Sequence, residues 1–226
     1  MTRRRRRGFV AALLALLAVS LASQAPPAGA NESATADIRI ARASKASTCT
    51  VSDASIRWGF KESFRSYISG TIANGAWTTS GHASYATPQF SWSSGTGTWN
   101  PKTRKGALAF TGAVRFTGHH GLLDTQISNP RLTLIGAGRS YLTLDVSNVP
   151  MDSAIAGSSQ AVVTRGVTFV QFDSSNATVK GRTVRIHAAP TTLTSHGERA
   201  LGNSYEAGTA FDPVSISLTL SRSCAR

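Results

Sequence analysis

The chain has 226 residues, with 24 Lys and Arg against 11 Asp and Glu and a formal net charge of +13 at neutral pH. That length suits one domain able to bury a sizeable core, and the positive balance favours anionic partners. Beyond the first few residues, however, the arginines are scattered singly rather than clustered, which argues against a nucleic-acid footprint.

Arg3 to Arg7 precede an apolar run from Phe9 to Ala22, which is shorter than the roughly 20 residues a membrane span needs. Ala28, Gly29 and Ala30 form an A-x-A-like cleavage site, so residues 1–30 are expected to be a signal peptide and the product to be secreted or held at the extracellular surface. Ala34-Thr35-Ala36 is a second acceptable site. Arg6-Arg7-Gly8-Phe9-Val10 resembles a twin-arginine signal, while five consecutive arginines also make an ordinary charged n-region. After cleavage 19 basic residues face the same 11 acids, a net charge of +8, and no integral membrane segment is expected. Residues 31–48, rich in Ala and Ser, read as a flexible leader, and the domain proper as 49–226. The only cysteines, Cys49 and Cys224, stand at the two ends of that domain and are expected to pair as a terminal clasp.

From Ser55 to Ile68 the apolar residues Trp58, Phe60 or Phe64, Tyr67 and Ile68 recur at spacings of three and four, the pattern of a short amphipathic helix ending at a Gly70 C-cap. Beyond it the period falls to two. Strands are expected over Leu108 to Phe116, Asp124 to Ser128, Arg131 to Ile135, Tyr141 to Val149, Val162 to Phe172, Val179 to His187 and Val214 to Leu220. Many short strands with frequent turns imply a mainly β fold, an antiparallel β-sandwich or barrel-like sheet pair with one or two short helices.

No G-x-S-x-G elbow, H-E-x-x-H pair or glycine-rich phosphate loop is present, and the acids are dispersed, so a non-enzymatic role is expected. His119 and His120 side by side suggest a divalent metal site, but neighbours on a strand point to opposite faces and no Cys or carboxylate sits at a matching spacing. Trp77, Trp92 and Trp99, set among Ser, Thr and Gly, motivate an alternative role as an extracellular adhesive or glycan-binding module.

Three stretches carry a closer likeness: RWGFKESFRSYI (57–68), VRFTGHHGLLDTQISNP (114–130) and SYEAGTAFDP (204–213). Their order and separation resemble the HtaA-type haem-binding domain of actinobacterial iron uptake over residues 49 to 222. The resemblance implies an exported binder of ferric haem b, with Tyr67 as axial ligand and His119, rather than His120, hydrogen-bonding the phenolate. It further implies Ser63, one helical turn before Tyr67, on a haem propionate, and Tyr205 against the porphyrin. Related domains often carry a stacking aromatic just before that tyrosine, where this chain has Ser204. Other surface haem-binding proteins or a haem transporter are the partners such a protein would meet. His82, His187 and His196 match no motif and read as surface residues.

Overall fold

The computed structural model describes residues 48–224 other than Ala137; the expected signal peptide and the leader up to residue 47 lie outside the described residues. Strand β1 (Cys49–Trp58) leads into helix α1 (Glu62–Ser69) and then β2 (Ala76–Ser80), β3 (Ala83–Ala86), β4 (Gln89–Trp92), β5 (Thr96–Trp99) and β6 (Lys105–Ala109). β7 (Ala113–Gly118) runs into a 3-10 turn (His119–Gly121), followed by the long strands β8 (Leu123–Ile135) and β9 (Arg139–Asn148). The one-turn helix α2 (Met151–Ile155) precedes β10 (Val162–Asp173), β11 (Thr178–Lys180), β12 (Thr183–Leu193), α3 (Ser195–Ala200) and β13 (Ala210–Leu220). None of the described helices is long and apolar enough to cross a membrane.

The fold is mainly antiparallel β, as the patterning predicts. Pairing runs from β1 through β13, β12, β10, β9, β8, β6 and β5 back to β1, a closed circuit that leaves these eight strands no free lateral end. β2 and β7 branch from β8, and β3 and β4 from β1. Alternation fills the interior: Ile56 and Trp58, Leu142 and Leu144, and Val214, Ile216 and Leu218 are all buried. Cys49 and Cys224 are disulfide-bonded, with Cα atoms 5.6 Å apart across 175 residues of sequence.

Several boundaries differ from the expected ones for identifiable reasons. The expected helix from Ser55 begins only at Glu62, because Ala54, Ile56 and Trp58 alternate into the core between β4 and β13. Gly70 does follow the helix, but with φ −84° and ψ 177° it is extended rather than left-handed; a Cβ there would lie 2.8 Å from the Ser66 carbonyl oxygen. The expected strand Leu108 to Phe116 is two, β6 and β7, broken at Gly112 (φ 117°), and both pair with β8. Conversely, the two strands expected over Asp124 to Ile135 are one, bent at Asn129 (φ 50°). Trp92 and Trp99 are buried and offer no stacking platform for a sugar, while Trp77 is half-buried and packs against Tyr85, Phe90 and Phe116.

One buried carboxylate braces two of the register irregularities of the long strands. Asp145 on β9 accepts from Asn129 Nδ2 (3.0 Å) and Arg131 (3.0 Å), at the β8 bend, and from the Gly166 N–H (2.9 Å), where β10 slips register. Burial by itself raises its pKa; the hydrogen bonds from Arg131, Asn129 and Gly166, with the Arg131 charge, outweigh that and lower it to about 2. A depressed carboxylate pKa means stability present above the unfolded value of about 4 and lost as pH falls towards 2. Asp145→Asn is therefore expected to be clearly less stable than the parent in urea melts at pH 7, with the gap narrowing between about pH 4 and pH 2; a gap independent of pH would refute this account.

Candidate functional site

Helix α1 has eight residues, fewer than the roughly 12 to 15 at which an isolated helix begins to hold itself, and its capping residue Lys61 supplies no side-chain cap. The cap comes instead from β13. Asp212 Oδ1 accepts the Glu62 N–H at 2.8 Å, while Oδ2 accepts from Arg65, which is only 7% exposed and also donates to the Gly59 carbonyl. The Asp212 backbone is equally engaged: its carbonyl accepts from the Trp58 indole N–H (2.8 Å) and the Thr191 hydroxyl (3.0 Å), and its N–H donates to Phe60 O (2.8 Å). Gly59 makes the approach possible, since a Cβ there would lie 2.1 Å from Asp212 Oδ2. Below the helix the Phe60 ring meets Trp58, Phe64, Phe116, Phe169 and Phe211 at centroid distances between 5.2 and 5.7 Å.

So anchored, α1 presents Tyr67, half-buried, with its hydroxyl hydrogen-bonded to His119 Nε2 and the two rings 5.6 Å apart. With the phenol protonated, the O–H donates to Nε2; with a phenolate, an Nε2–H donates to the oxygen. His119 does not lie on a strand, as the sequence suggests, but in the turn after β7, where it and His120 take left-handed backbone (φ 51° and 53°). Its N–H donates to Ala73 O at 2.7 Å, tying the turn to the segment that follows α1. Glycine is required for this contact, because a Cβ on Gly75 would lie 1.9 Å from Thr117 O. His120 is exposed and outside the pair. Ser63 is exposed on α1, one turn before Tyr67.

Beside the pair lies a cleft of about 580 Å³. Phe60, Phe64, Leu123, Leu201 and Tyr205 give it apolar walls, and Leu122, Met151 and Val162 are exposed at its edge. Tyr67 and His119 are not in its lining; Phe64, 6.4 Å from the Tyr67 ring, connects the two. Tyr205 packs edge-on to Phe211 (5.7 Å) beneath the Lys61 ammonium (5.4 Å). Burial, and secondarily the nearby Tyr67, push its phenol pKa up, so it remains a neutral wall. Ser204, also in the lining, donates its hydroxyl to Leu201 O at 2.8 Å. Of the charged groups here, Asp124 is paired with Arg115, whereas Asp152 and Arg199 make no ion pair among the described residues.

The structure thus brings Tyr67 and His119 into contact and sets Tyr205 in the adjoining cleft. The sequence reading gave Arg65, Asp212 and Gly59 no role, although all three lie within the quoted segments. A charged residue inside an aromatic stretch was the available sign of a buried ion pair.

Fold and site together define a closed antiparallel β domain that displays a phenol–imidazole pair beside an apolar cleft. The family model described as Htaa matches residues 53–217, and the chain belongs to the HtaA family. Among solved structures, the C-terminal domain of HtaA from Corynebacterium glutamicum is 30% identical with TM-score 0.67, covering 76% of this chain and 99% of that one. The N-terminal domain of the same protein is 26% identical with TM-score 0.60, covering 76% and 98%. Heme binding protein HtaB from Corynebacterium glutamicum shares the fold at 19% identity and TM-score 0.55, covering 77% and 97%. No curated protein matches the sequence.

Removing the Asp212 carboxylate strands a buried guanidinium and uncaps α1. Asp212→Ala is expected to cost about 3 kcal/mol or more in urea unfolding, because breaking one side of a buried pair leaves an uncompensated charge. Arg115→Ala, at a pair whose arginine is largely exposed, is expected to change stability far less. Equal losses for the two variants would contradict the anchoring role.

Proposed function

We propose that this chain is an exported haem-binding protein that captures or relays ferric haem b for iron uptake. The observation that carries the reading is the hydrogen bond between Tyr67 Oη and His119 Nε2, beside a cleft walled in part by Phe60, Phe64 and Tyr205. A free phenol titrates near pH 10, so a tyrosine ligates iron at neutral pH only if the metal charge and a hydrogen-bond donor stabilise the phenolate. His119 is that donor. Haem supplies a ferric centre that prefers a hard anionic oxygen, and tyrosine is a recognised haem ligand. Membership of the HtaA family and the three segments that resemble its haem-binding domain support the same assignment.

The remaining residues have chemistry that fits the ligand. Phe64 and Tyr205 offer faces to a flat apolar macrocycle, which gains by leaving water. Ser63 is free to hydrogen-bond a propionate, and Arg199, unpaired at the cleft, is the cation placed to pair with one. Ser204 turns inward to Leu201 and offers no ring, which favours weaker holding and faster transfer than an aromatic there. Export rests on the signal-like first 30 residues.

Titration of the purified protein with ferric haem is expected to give a Soret band typical of tyrosinate ligation. Tyr67→Phe should abolish that spectrum, and His119→Ala should shift it and weaken binding by roughly tenfold, the effect of one lost charge-assisted hydrogen bond. Unchanged spectrum and affinity in Tyr67→Phe would overturn the ligand assignment. Arg199→Ala should weaken ferric haem by a similar factor and leave haem dimethyl ester, which lacks the carboxylates, unaffected; equal effects on both would remove Arg199 from the propionates.

A further inference from the structure

A second recess, of about 690 Å³, shares no lining residue with the cleft beside Tyr67. Its floor is the outer face of β8, β9 and β10. In one cross-strand row Thr133 on β8 faces Tyr141 on β9, and Tyr141 faces Gln171 on β10. Two residues along β9, Thr143 faces Thr168 of β10 in a parallel row. Strand spacing and the two-residue repeat therefore set hydroxyl and amide groups on a grid of about 5 by 7 Å. One wall is the start of α3, with Ser195 and His196; Ala207 and Gly208 form the other.

The composition of this recess is unlike that of the chain around it. In a protein with 24 basic residues, no Lys, Arg, Asp or Glu lines it. No Lys or Arg is there to pair with a phosphate or carboxylate, and its large apolar groups are few, the buried Leu193 and the ring of Tyr141. What it has is hydroxyls. Thr194 spends its own on structure, donating to Thr168 O and accepting from the Gly197 N–H. The side chains of Thr133, Tyr141, Thr143 and Gln171 make no hydrogen bond to other described residues and converge on the floor. Tyr141, half-buried at the centre of its row, adds an aromatic face.

Free of Lys, Arg, Asp and Glu, hydroxyl-lined and carrying the ring of Tyr141 beside the imidazole of His196, this recess matches the chemistry of a neutral polysaccharide, whose hydroxyls both donate and accept and whose C–H faces pack on aromatic rings. We propose that the outer face of β8–β10 with the start of α3 is a binding site for neutral glycan. It would attach the protein to a polymer surface independently of the Tyr67 site. The inference also places sugar recognition away from the tryptophans that suggested it in the sequence, two of which are buried.

The test uses purified protein and an array of neutral oligosaccharides (glucans, mannans, galactans and arabinans of about six units), with polygalacturonate as the charged control. Retention of at least one neutral probe is expected, with affinity lowered at least tenfold by Tyr141→Ala and severalfold by Gln171→Ala, whereas Tyr141→Phe should retain most of it. Ferric haem titration and thermal melting are measured on the same variants and are expected to match the parent. If no neutral probe binds, or if Tyr141→Ala and Gln171→Ala bind as well as the parent, the site assignment is wrong. Binding only to polygalacturonate, unaffected by these variants, would reduce it to the general attraction of a basic surface.

Discussion

The interaction on which the site depends is the contact of the Asp212 carboxylate with Arg65 and the first N–H of α1. A buried ion pair is seldom a net source of stability, because desolvating two charges offsets most of their attraction. Its value here is geometric. The helix is too short to persist alone and carries no cap of its own, so it exists where β13 supplies one from 150 residues away. The same aspartate holds Trp58 and Thr191 through its carbonyl, which ties β1, β12 and β13 to one point. Strand pairing and helix thus meet at one residue of β13, and the placement of Tyr67 depends on it.

Tyr67 and His119 are brought together by two elements of different origin. One is the capped helix; the other is the turn after β7, pinned by the Ala73 carbonyl and by the close approach of Gly75 to Thr117. Left-handed backbone at two successive non-glycine residues carries a conformational cost, and it persists because the surrounding contacts overdetermine it. The result is an imidazole hydrogen-bonded to a phenol oxygen rather than aimed at solvent.

The β class was legible in the sequence because Val214 to Leu220, Tyr141 to Val149 and Arg131 to Ile135 alternate cleanly, and half-buried sheet leaves that trace. The start of the helix was not, because Ile56 and Trp58 fit a three-to-four spacing as readily as a strand's period of two, and only pairing with β4 and β13 separates the readings. Strands β2 to β5 went unread for a similar reason: β2, β3 and β5 are short, carry few buried residues and are rich in Ser, Thr and Ala. The pairing of Tyr67 with His119 was legible only through resemblance, since nothing in local pattern joins residues 52 apart. Asp212 lay in a quoted segment, yet its role is set by a partner 147 residues away that no spacing rule connects.

Helix α3 and the loop after it form the boundary between the two surfaces discussed. Arg199, Leu201 and Tyr205 face the cleft beside Tyr67, while Ser195, His196 and Gly208 face the recess on β8–β10. Thr194 fixes the start of this helix to Thr168, and Glu198 accepts from the Ala207 N–H across the loop. The segment is short and mostly solvent-exposed, so its order depends on these few bonds. One six-residue helix and the loop after it thus supply residues to both surfaces.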